Sequence, residues 1–352
     1  MIKIAFLGDI SLNDNYITLH EKNINPFTEI AEKLHKFDYV VGNLECLPMN
    51  SSGENLLKRP RLRTTLSTLN YLTKIGLNIA CLAQNHIYDH LKMGVLQTTR
   101  FLEEKNILYL GASIKSGEEA KPLIIRNAEE SVALLNYVSN DTNPCLPTDS
   151  GVFVNIFNIA NAITTIQETK QVVSFVIVIL HWGGRVEGGL YPDWDQPNIA
   201  RKLIDAGADL IIGHHSHTVQ PYEIYKHKYI YYSLGNFCFS DYWFEGNLNP
   251  MSNRRKVCFI PGITINRGKI SVEHYYWQNN LTSFKILPFY KSKHKVRNLI
   301  FKFLRRFHLL WFIYFFIFKK IMPTILFFSR TDLTLIQKTK RYFIAIKKRV
   351  TK

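Results

Sequence analysis

The chain has 352 residues, 46% of them hydrophobic, which is typical of a folded globular protein and argues against a disordered one. Its five cysteines are scattered and include no Cys-x-x-Cys pair, which argues against a disulfide framework or a thiolate zinc site and suggests a reducing compartment. The net charge of +16 comes from residues 285–352, which hold 18 Lys and Arg and one acidic residue, whereas residues 1–284 hold 26 basic and 27 acidic residues. We therefore expect a nearly neutral domain over 1–284 and a basic tail over 285–352.

The chain begins with a short apolar run over residues 2–7, which stops at Gly8. The run lacks the long apolar core of a signal peptide, so we interpret it as a first strand. We expect no signal peptide and a cytoplasmic location.

Strand and helix patterns alternate along the rest of the domain. Predicted strands cover residues 37–41, 78–83, 131–138, 172–180, 209–212 and 228–233, and predicted helices cover residues 26–36, 66–75, 92–104 and 196–206. This alternation predicts an α/β fold, with a largely parallel or mixed sheet covered by helices.

Five of the predicted strands end in residues that commonly bind metals. Because ligand sites in such sheets lie beyond the carboxyl ends of the strands, we expect these side chains to converge. They are Asp9, Asn43 with Glu45, Asn85 with His86, His181, and His215 with His217.

Carboxylate, carboxamide and imidazole groups without thiolates suit zinc, manganese or iron. Two such ions about 3.5–4 Å apart form the usual clamp for in-line displacement at phosphorus. A histidine outside the metal ligands can protonate a leaving oxygen. Local roles remain open for each residue: Asp9 can be a turn residue, Asn85 and His86 can cap a helix, and His181 can be a buried core histidine.

The ordered series GDIS, GNLE, QNH with Asp89, HWG, GHHSHTVQP and YSLGNF resembles the CapA family of capsule and poly-γ-glutamate synthesis proteins. That family belongs to the calcineurin-like metallophosphoesterase superfamily, and the resemblance covers residues 2 to 240. It implies an αββα sandwich with the site at the carboxyl ends of the strands.

The resemblance also implies a role for each motif residue and a requirement for one or two divalent metal ions. His86 is implied as the general acid, Asp89 as its orienting partner, and His214 as a supporting residue. The first metal would be held by Asp9, Glu45 and His217, and the second by Glu45, Asn85, His181 and His215.

Basic and amide side chains near these motifs are candidates for binding substrate. Arg59 and Arg63 lie in the loop over residues 50–63 and could clamp an anionic group, although a solvated basic loop is an equally good interpretation. We assign Asn43 to the same substrate-binding group.

Three positions depart from the pattern of the family and its superfamily. Typical phosphoesterases have a histidine where this chain has Ser11, and an aspartate where it has Glu45. An acidic residue usually follows HWG closely, whereas Gly184 and Arg185 here precede Glu187. The first metal site is therefore expected to lack one strong ligand.

The tail alternates basic residues with dense aromatic and aliphatic blocks over residues 299–328. Its charge-free blocks are shorter than the ~20 residues that span a bilayer, so we expect a helix lying on an anionic membrane surface. Packing against the domain and a nucleic-acid surface are the alternatives, and the aromatic density counts against nucleic acid.

Three functions fit these observations. The first is a metal-dependent hydrolase of a phosphoester that acts in the synthesis of a capsule, poly-γ-glutamate or exopolysaccharide. The second is a non-catalytic, metal-containing partner that binds or exports an anionic polymer at the membrane, which the loss of a histidine at Ser11 favours. The third is a nucleic-acid phosphodiesterase, and the neutral domain counts against it.

Overall fold

The computed structural model describes residues 1–244, 246–328 and 339. The chain divides into two compact units, Met1–Leu299 and Ile300–Lys352. The division falls after the predicted boundary at residue 284, because a strand at 284–286 extends the sheet of the first unit and the buried His294 bonds to the carbonyl of Gln220.

The described strands are β1 (Ile2–Ile10), β2 (Tyr39–Leu44), β3 (Ile79–Cys81), β4 (Leu108–Leu110), β5 (Ala112–Ser113), β6 (Leu123–Arg126), β7 (Ser131–Val138), β8 (Phe153–Val154), β9 (Phe175–His181), β10 (Leu210–His214), β11 (Tyr222–Tyr225), β12 (Lys228–Tyr231), β13 (Asn236–Cys238), β14 (Tyr242–Phe244), β15 (Asn247–Asn249), β16 (Val257–Asn266), β17 (Lys269–Asn279) and β18 (Phe284–Ile286).

The described α-helices are α1 (Asn15–Glu21), α2 (Thr28–Leu34), α3 (Tyr71–Ile75), α4 (Leu91–Glu104), α5 (Ile159–Lys170), α6 (Gln196–Asp205), α7 (Tyr290–Arg306), α8 (His308–Phe316) and α9 (Met322–Phe328). Short 3₁₀ turns lie at Ser67–Asn70, Asn140–Thr142 and Gly184–Val186, and a π-helical turn, Ile317–Ile321, joins α8 to α9.

Two mixed sheets form the centre of the first unit. One has the order β18-β17-β16-β1-β2-β3-β4, with β13 also pairing with β1, and the other has the order β11-β12-β10-β9-β7-β6. Strands β1 to β4 are mutually parallel, and so are β7, β9, β10 and β12. All strands that carry predicted ligands therefore end at the same edge of their own sheet.

The two sheets pack face to face over one apolar core. Phe6 and Val41 from the first sheet share this core with Ile177, Ile179 and Ile212 from the second. The opposite face of the first sheet packs against α2, α3 and α4, and α5 and α6 contact β9 and β10 on the outer face of the second sheet. The predicted αββα sandwich is confirmed.

Strand β9 shows why the sequence specifies a central position. All seven of its residues are buried, and both of its edges are paired, with β7 and β10. The near-continuous apolar run predicted such a strand, because a strand covered on both faces has no polar side to alternate.

The hairpin of β16 and β17 was missed by the sequence prediction. Its turn is made by Arg267 and Gly268, both with positive φ, and Asn266 pairs with Lys269 across it. Strand β17 lies near the border of its sheet, and exposed residues alternate with partly buried ones along its first half. This incomplete burial leaves no strong apolar pattern in the sequence.

The tail is helical from Tyr290 to Phe328, apart from a break at Phe307, and this agrees with the predicted helical tail. No helix among the described residues has the length and apolar character needed to cross a bilayer. The remainder of the predicted tail, residues 329–338 and 340–352, lies outside the described residues.

Gly213→Ala is expected to destabilise the first unit by about 2–4 kcal/mol, because a methyl group there cannot be accommodated. A Cβ at Gly213 would lie 2.1 Å from the carbonyl oxygen of Tyr232 and 2.6 Å from Nε1 of Trp182. Urea unfolding would measure the loss. Gly53→Ala is the control, since its positive φ adds backbone strain but its Cβ meets nothing within 4 Å; an equal loss at both positions would contradict the crowding argument.

Candidate metal centre

The two sheets bring their polar strand ends to one place. Asp9 lies beside Asn43 of β2 in the strand register, and His214 lies beside His181 of β9. Glu45 follows β2 directly. The first sheet thus supplies carboxylates and the second supplies imidazoles, and all these side chains are buried.

Asp9 is held as a carboxylate by donors from both sheets. The Asn43 amide donates to Oδ1 at 2.9 Å, Nδ1 of His214 lies 3.0 Å from the same oxygen, and the backbone N–H of His215 donates to Oδ2 at 3.3 Å. Burial raises the pKa of Asp9, but hydrogen bonds from His214 and His217 outweigh burial and place the pKa well below its usual range. Asp9 is therefore ionised near neutral pH.

Glu45 is the least satisfied polar group of the site. Its side chain is fully buried, and neither Oε1 nor Oε2 has a hydrogen-bond partner among the described residues. Oε1 lies 3.3 Å from Nε2 of His181, and Oε2 lies 3.7 Å from Nδ1 of His217. Burial, together with the nearby Asp9 charge, raises the pKa of Glu45 well above its usual range. A buried carboxylate without donors is costly, and a cation between its neighbours would remove that cost.

Among the residues that the structure describes, two groups of three side chains could each hold a divalent ion, and Glu45 belongs to both. One group is Glu45, His215 and His217, and the other is Asp9, Glu45 and His181, each with its ligand atoms within 4.8 Å of one another. The shared position of Glu45 matches the bridge that the family resemblance implies. These groups place His217 with His215 and Asp9 with His181, but Nδ1 of His217 also lies 3.3 Å from Oδ2 of Asp9 and 3.7 Å from Oε2 of Glu45. The grouping of Asp9, Glu45 and His217 that the resemblance implies therefore stays a prediction.

His181 and His215 are poised as neutral ligands. Nε2 of His181 lies 3.0 Å from Nδ1 of His215 and 3.0 Å from Oδ1 of Asn85. Burial lowers the pKa of His181 well below its usual range and lowers that of His215 to about 3. Asn85 is positioned through its Nδ2, which donates to the carbonyl of Thr142 at 3.2 Å. Neutral imidazole is the form that binds metal.

The loop after β10 adopts an unusual backbone to bring its histidines inward. His215 has φ 88° and His217 has φ 57°, values that residues other than glycine rarely adopt. Such conformations cost on the order of 1 kcal/mol each and cluster at functional sites. Nδ1 of His217 also lies 2.9 Å from Oδ1 of Asn236, which fixes the ring. Burial lowers the pKa of His217, but Glu45 and Asp9 outweigh burial and raise it to about 9.

His86 and Asp89 form a pair at the side of the cluster. Nδ1 of His86 lies 2.6 Å from Oδ2 of Asp89, and the backbone N–H of Leu62 donates to the same oxygen at 2.8 Å. Burial lowers the pKa of His86 although Asp89 opposes the shift. The ring therefore has a fixed orientation beside the metal ligands.

A cleft of about 250 Å³ opens over the cluster. His86, His215 and His217 line it, and so does Arg59. Arg63 is not among the lining residues, and its guanidinium pairs with Glu54 at 3.1 Å. Asn43 is buried beneath the cleft, where it binds Asp9 and is not among the lining residues.

Two basic residues of the cleft were missed by the sequence prediction. Lys58 is 3% exposed and donates from Nζ to the carbonyl of Asn143 at 2.7 Å, and burial lowers its pKa. Arg255 lies 3.5 Å from the carboxylate of Glu187, which also lines the cleft. Lys58 stands beside Arg59 in the sequence and could have been included with it, whereas no motif surrounds Arg255.

Ser11 does not replace the histidine that typical phosphoesterases have at this position. Its hydroxyl is buried and donates to Oδ1 of Asn13 at 2.9 Å. The expectation that the first metal site, implied to be held by Asp9, Glu45 and His217, lacks one ligand of typical phosphoesterases therefore stays a prediction.

The fold is an αββα sandwich with a carboxylate and histidine cluster at its strand ends, which is the arrangement that the resemblance to metallophosphoesterases implies. The family model described as bacterial capsule synthesis protein PGA_cap matches residues 3–241, and the chain belongs to that family. The resemblance seen in the sequence is confirmed.

Two relatives carry the CapA name. The PGA biosynthesis protein CapA of Bacillus subtilis (strain 168) is 26% identical over 257 residues, which cover 69% of this chain and 64% of that protein. The capsule biosynthesis protein CapA of Bacillus anthracis is 28% identical over 225 residues, which cover 62% of this chain and 54% of that protein. The chain thus spans less than two thirds of the length of either relative.

Solved structures show a more distant likeness. A hypothetical protein from Thermus thermophilus has a TM-score of 0.48 and 12% identity, with 79% of this chain and 99% of that chain covered. A 5'-nucleotidase precursor from the same organism has a TM-score of 0.42 and 11% identity, with 85% of this chain and 58% of that chain covered.

Proposed function

We propose that this chain is a metal-dependent phosphoester hydrolase that acts in the biosynthesis of a capsule, poly-γ-glutamate or related exopolysaccharide. The observation that carries the proposal is the Glu45 carboxylate, which is buried without hydrogen-bond partners among the described residues and shared by two ligand groups. The mixture of carboxylate and imidazole donors suits one or two ions of manganese, zinc or iron.

When bound, such ions polarise a phosphoryl oxygen and supply a nucleophile at neutral pH. The residues of the chain bind the substrate and donate the proton. Arg59, Lys58 and Arg255 line the cleft and hold the anionic substrate by charge. His86, in its doubly protonated form, donates a proton from Nε2 to the leaving oxygen, and the Asp89 carboxylate orients the ring and stabilises the cation.

His215→Ala is expected to lower the affinity for metal at least about tenfold. Groups that only support a ligand typically contribute 10–100-fold in affinity, and a direct ligand should contribute at least as much. Metal in purified protein would be measured by inductively coupled plasma mass spectrometry, together with turnover of phosphomonoester and phosphodiester substrates. His35→Ala, an exposed histidine at the end of α2, is the control and should keep its metal. Well-folded wild-type protein without metal would contradict the proposal.

The second candidate is a non-catalytic, metal-containing partner that binds or exports an anionic polymer. The specific observation in its favour is Ser11, whose hydroxyl is engaged with Asn13 and leaves the Asp9 group one ligand short. The same experiment separates the two functions, since bound metal without turnover of either substrate would favour the partner role.

We also propose that the tail attaches the protein to an anionic membrane surface. Basic residues flank apolar side chains that are exposed, with Leu309 at 72%, Phe312 at 51% and Phe316 at 57%. A chain ending at Arg306, which keeps α7 whole, is expected to lose most of its binding to vesicles containing anionic lipid in a co-sedimentation assay. Equal binding of the full and shortened chains would refute this role, and loss of binding at high salt is expected because the attraction is electrostatic.

A further inference from the structure

A second concave site lies in the first unit, apart from the metal cluster. It is a cavity of about 350 Å³ between α2 and the outer strands β17 and β18. None of the residues of the metal cluster lines it. Its volume falls in the range of small-molecule sites, roughly 300–1,000 Å³.

The cavity has an apolar interior that continues outward to solvent. Leu34, Ile260 and Trp277 line its inner part and are almost fully buried. Ile286 lines it too but is 59% exposed, and Phe289, next to the lining residue Pro288, is 83% exposed. An apolar path from interior to surface suits a chain-like ligand whose other end remains in water.

Lysines are the charged residues that line this cavity. They come from two directions, Lys33 and Lys36 from α2 and the turn after it, and Lys291 from α7. Lys36 already lies 4.3 Å from the ring centre of Tyr275 and 3.7 Å from the carboxylate of Glu273. Lys33 and Lys291 form no ion pair with any residue that the structure describes, so their charges are available to a ligand.

We propose that this cavity binds one alkyl chain of an anionic lipid, with Lys33 and Lys291 holding the phosphate head group. The apolar interior provides the free energy of burial, which grows with each methylene group, and the two lysines select a negative head group over a neutral or positive one. The site is separate from the hydrolase cleft and does not depend on the proposed reaction.

Titration calorimetry of the full chain with decyl phosphate, below its micelle-forming concentration, tests the proposal. We expect saturable binding at one site, about fourfold weaker for each methylene removed down to octyl phosphate. Decanol is expected to bind about tenfold more weakly than decyl phosphate, and inorganic phosphate alone should not bind measurably.

Variants at exposed positions test the location without disturbing the core. The double change Lys33→Gln and Lys291→Gln should weaken decyl phosphate about tenfold, and Ile286→Trp, which fills the mouth, should weaken it at least as much. Lys74→Gln and Ile224→Trp are matched exposed controls outside the cavity and should bind as the wild type does. Absence of saturable binding, equal affinity in Ile286→Trp, or equal affinity for decanol would each overturn the proposal.

Discussion

Glu45→Gln is expected to lose its metal and at the same time to make the metal-free protein more stable. The amide keeps the shape of the side chain but removes a buried charge that has no hydrogen-bond donor among the described residues and lies near Asp9. Removing a buried charge that lacks hydrogen bonds stabilises a folded protein by about 1–3 kcal/mol, and the lost attraction to His217, whose Nδ1 lies 3.7 Å from Oε2, offsets part of this gain. Loss of a shared ligand should weaken metal binding by more than about 100-fold, since even supporting groups contribute 10–100-fold.

The gain in the free energy of unfolding of the metal-free Glu45→Gln protein depends on pH with a defined sign. Burial raises the pKa of Glu45 in the folded state above its ordinary value of 4.5, so the folded state favours the protonated form. The stability from Glu45 is therefore present below pH 4.5 and is lost as the pH rises through the folded pKa. Because glutamine mimics the protonated form at every pH, the advantage of Glu45→Gln in the presence of a chelator should be small at about pH 5 and larger at about pH 8.

Urea unfolding at the two pH values, with and without chelator, measures both parts of this prediction. Glu54→Gln is the matched control, because Glu54 pairs with Arg61 at 2.8 Å and Arg63 at 3.1 Å. This control should be slightly less stable than the wild type and should keep its metal. A Glu45→Gln protein that retains metal would rule out Glu45 as the shared ligand. A variant less stable than the wild type at the higher pH without metal would contradict the argument from the buried charge.

His86→Ala is expected to lower turnover by about 10²–10⁴-fold, the usual contribution of a general acid, and to leave the metal content unchanged. The loss should depend on the leaving group. An alkyl phosphate ester needs protonation of its leaving oxygen, whereas p-nitrophenolate leaves without it, so the alkyl ester should show the larger loss. Asp89→Asn should lower turnover less than His86→Ala, since it removes only the orienting carboxylate and its charge.

Steady-state rates for the two esters, with metal analysis of each variant, measure this effect. Restoration of p-nitrophenyl phosphate turnover by lower pH is not expected, because that ester does not use the proton. Equal losses for the two esters would remove His86 from the role of proton donor and leave it as a residue that positions substrate.

The sequence was sufficient to predict the sandwich and the edge at which the site lies. Parallel strands such as β1 and β2 necessarily end at one edge, so Asp9 and Glu45 could be placed together from their positions in the chain. The strand β9 could be recognised because burial on both faces leaves a continuous apolar run. Local chemistry and periodicity determine both features.

The grouping of ligands could not be predicted in the same way. The ligand atoms that lie together depend on the left-handed backbone at His215 and on the docking of two sheets, neither of which leaves a periodic signal. His217 for example contacts both carboxylates, with Nδ1 3.3 Å from Oδ2 of Asp9 and 3.7 Å from Oε2 of Glu45. The positions of Arg63 and Arg255 could not be predicted either, because each depends on a single ion pair that leaves no periodic signal. Arg63 pairs with Glu54 of the same loop, and Arg255 pairs with Glu187 from a distant part of the chain.

The division of ligands between the sheets has a consequence for how the protein folds. Glu45 belongs to the first sheet and His215 and His217 follow a strand of the second, so neither sheet alone contains a complete ligand group. A partly folded chain with undocked sheets therefore has no strong metal site. An ion that binds ligands from both sheets stabilises the docked state relative to the undocked one. Chelation should accordingly increase amide exchange at the carboxyl ends of β2 and β10 together, although those strands lie in different sheets.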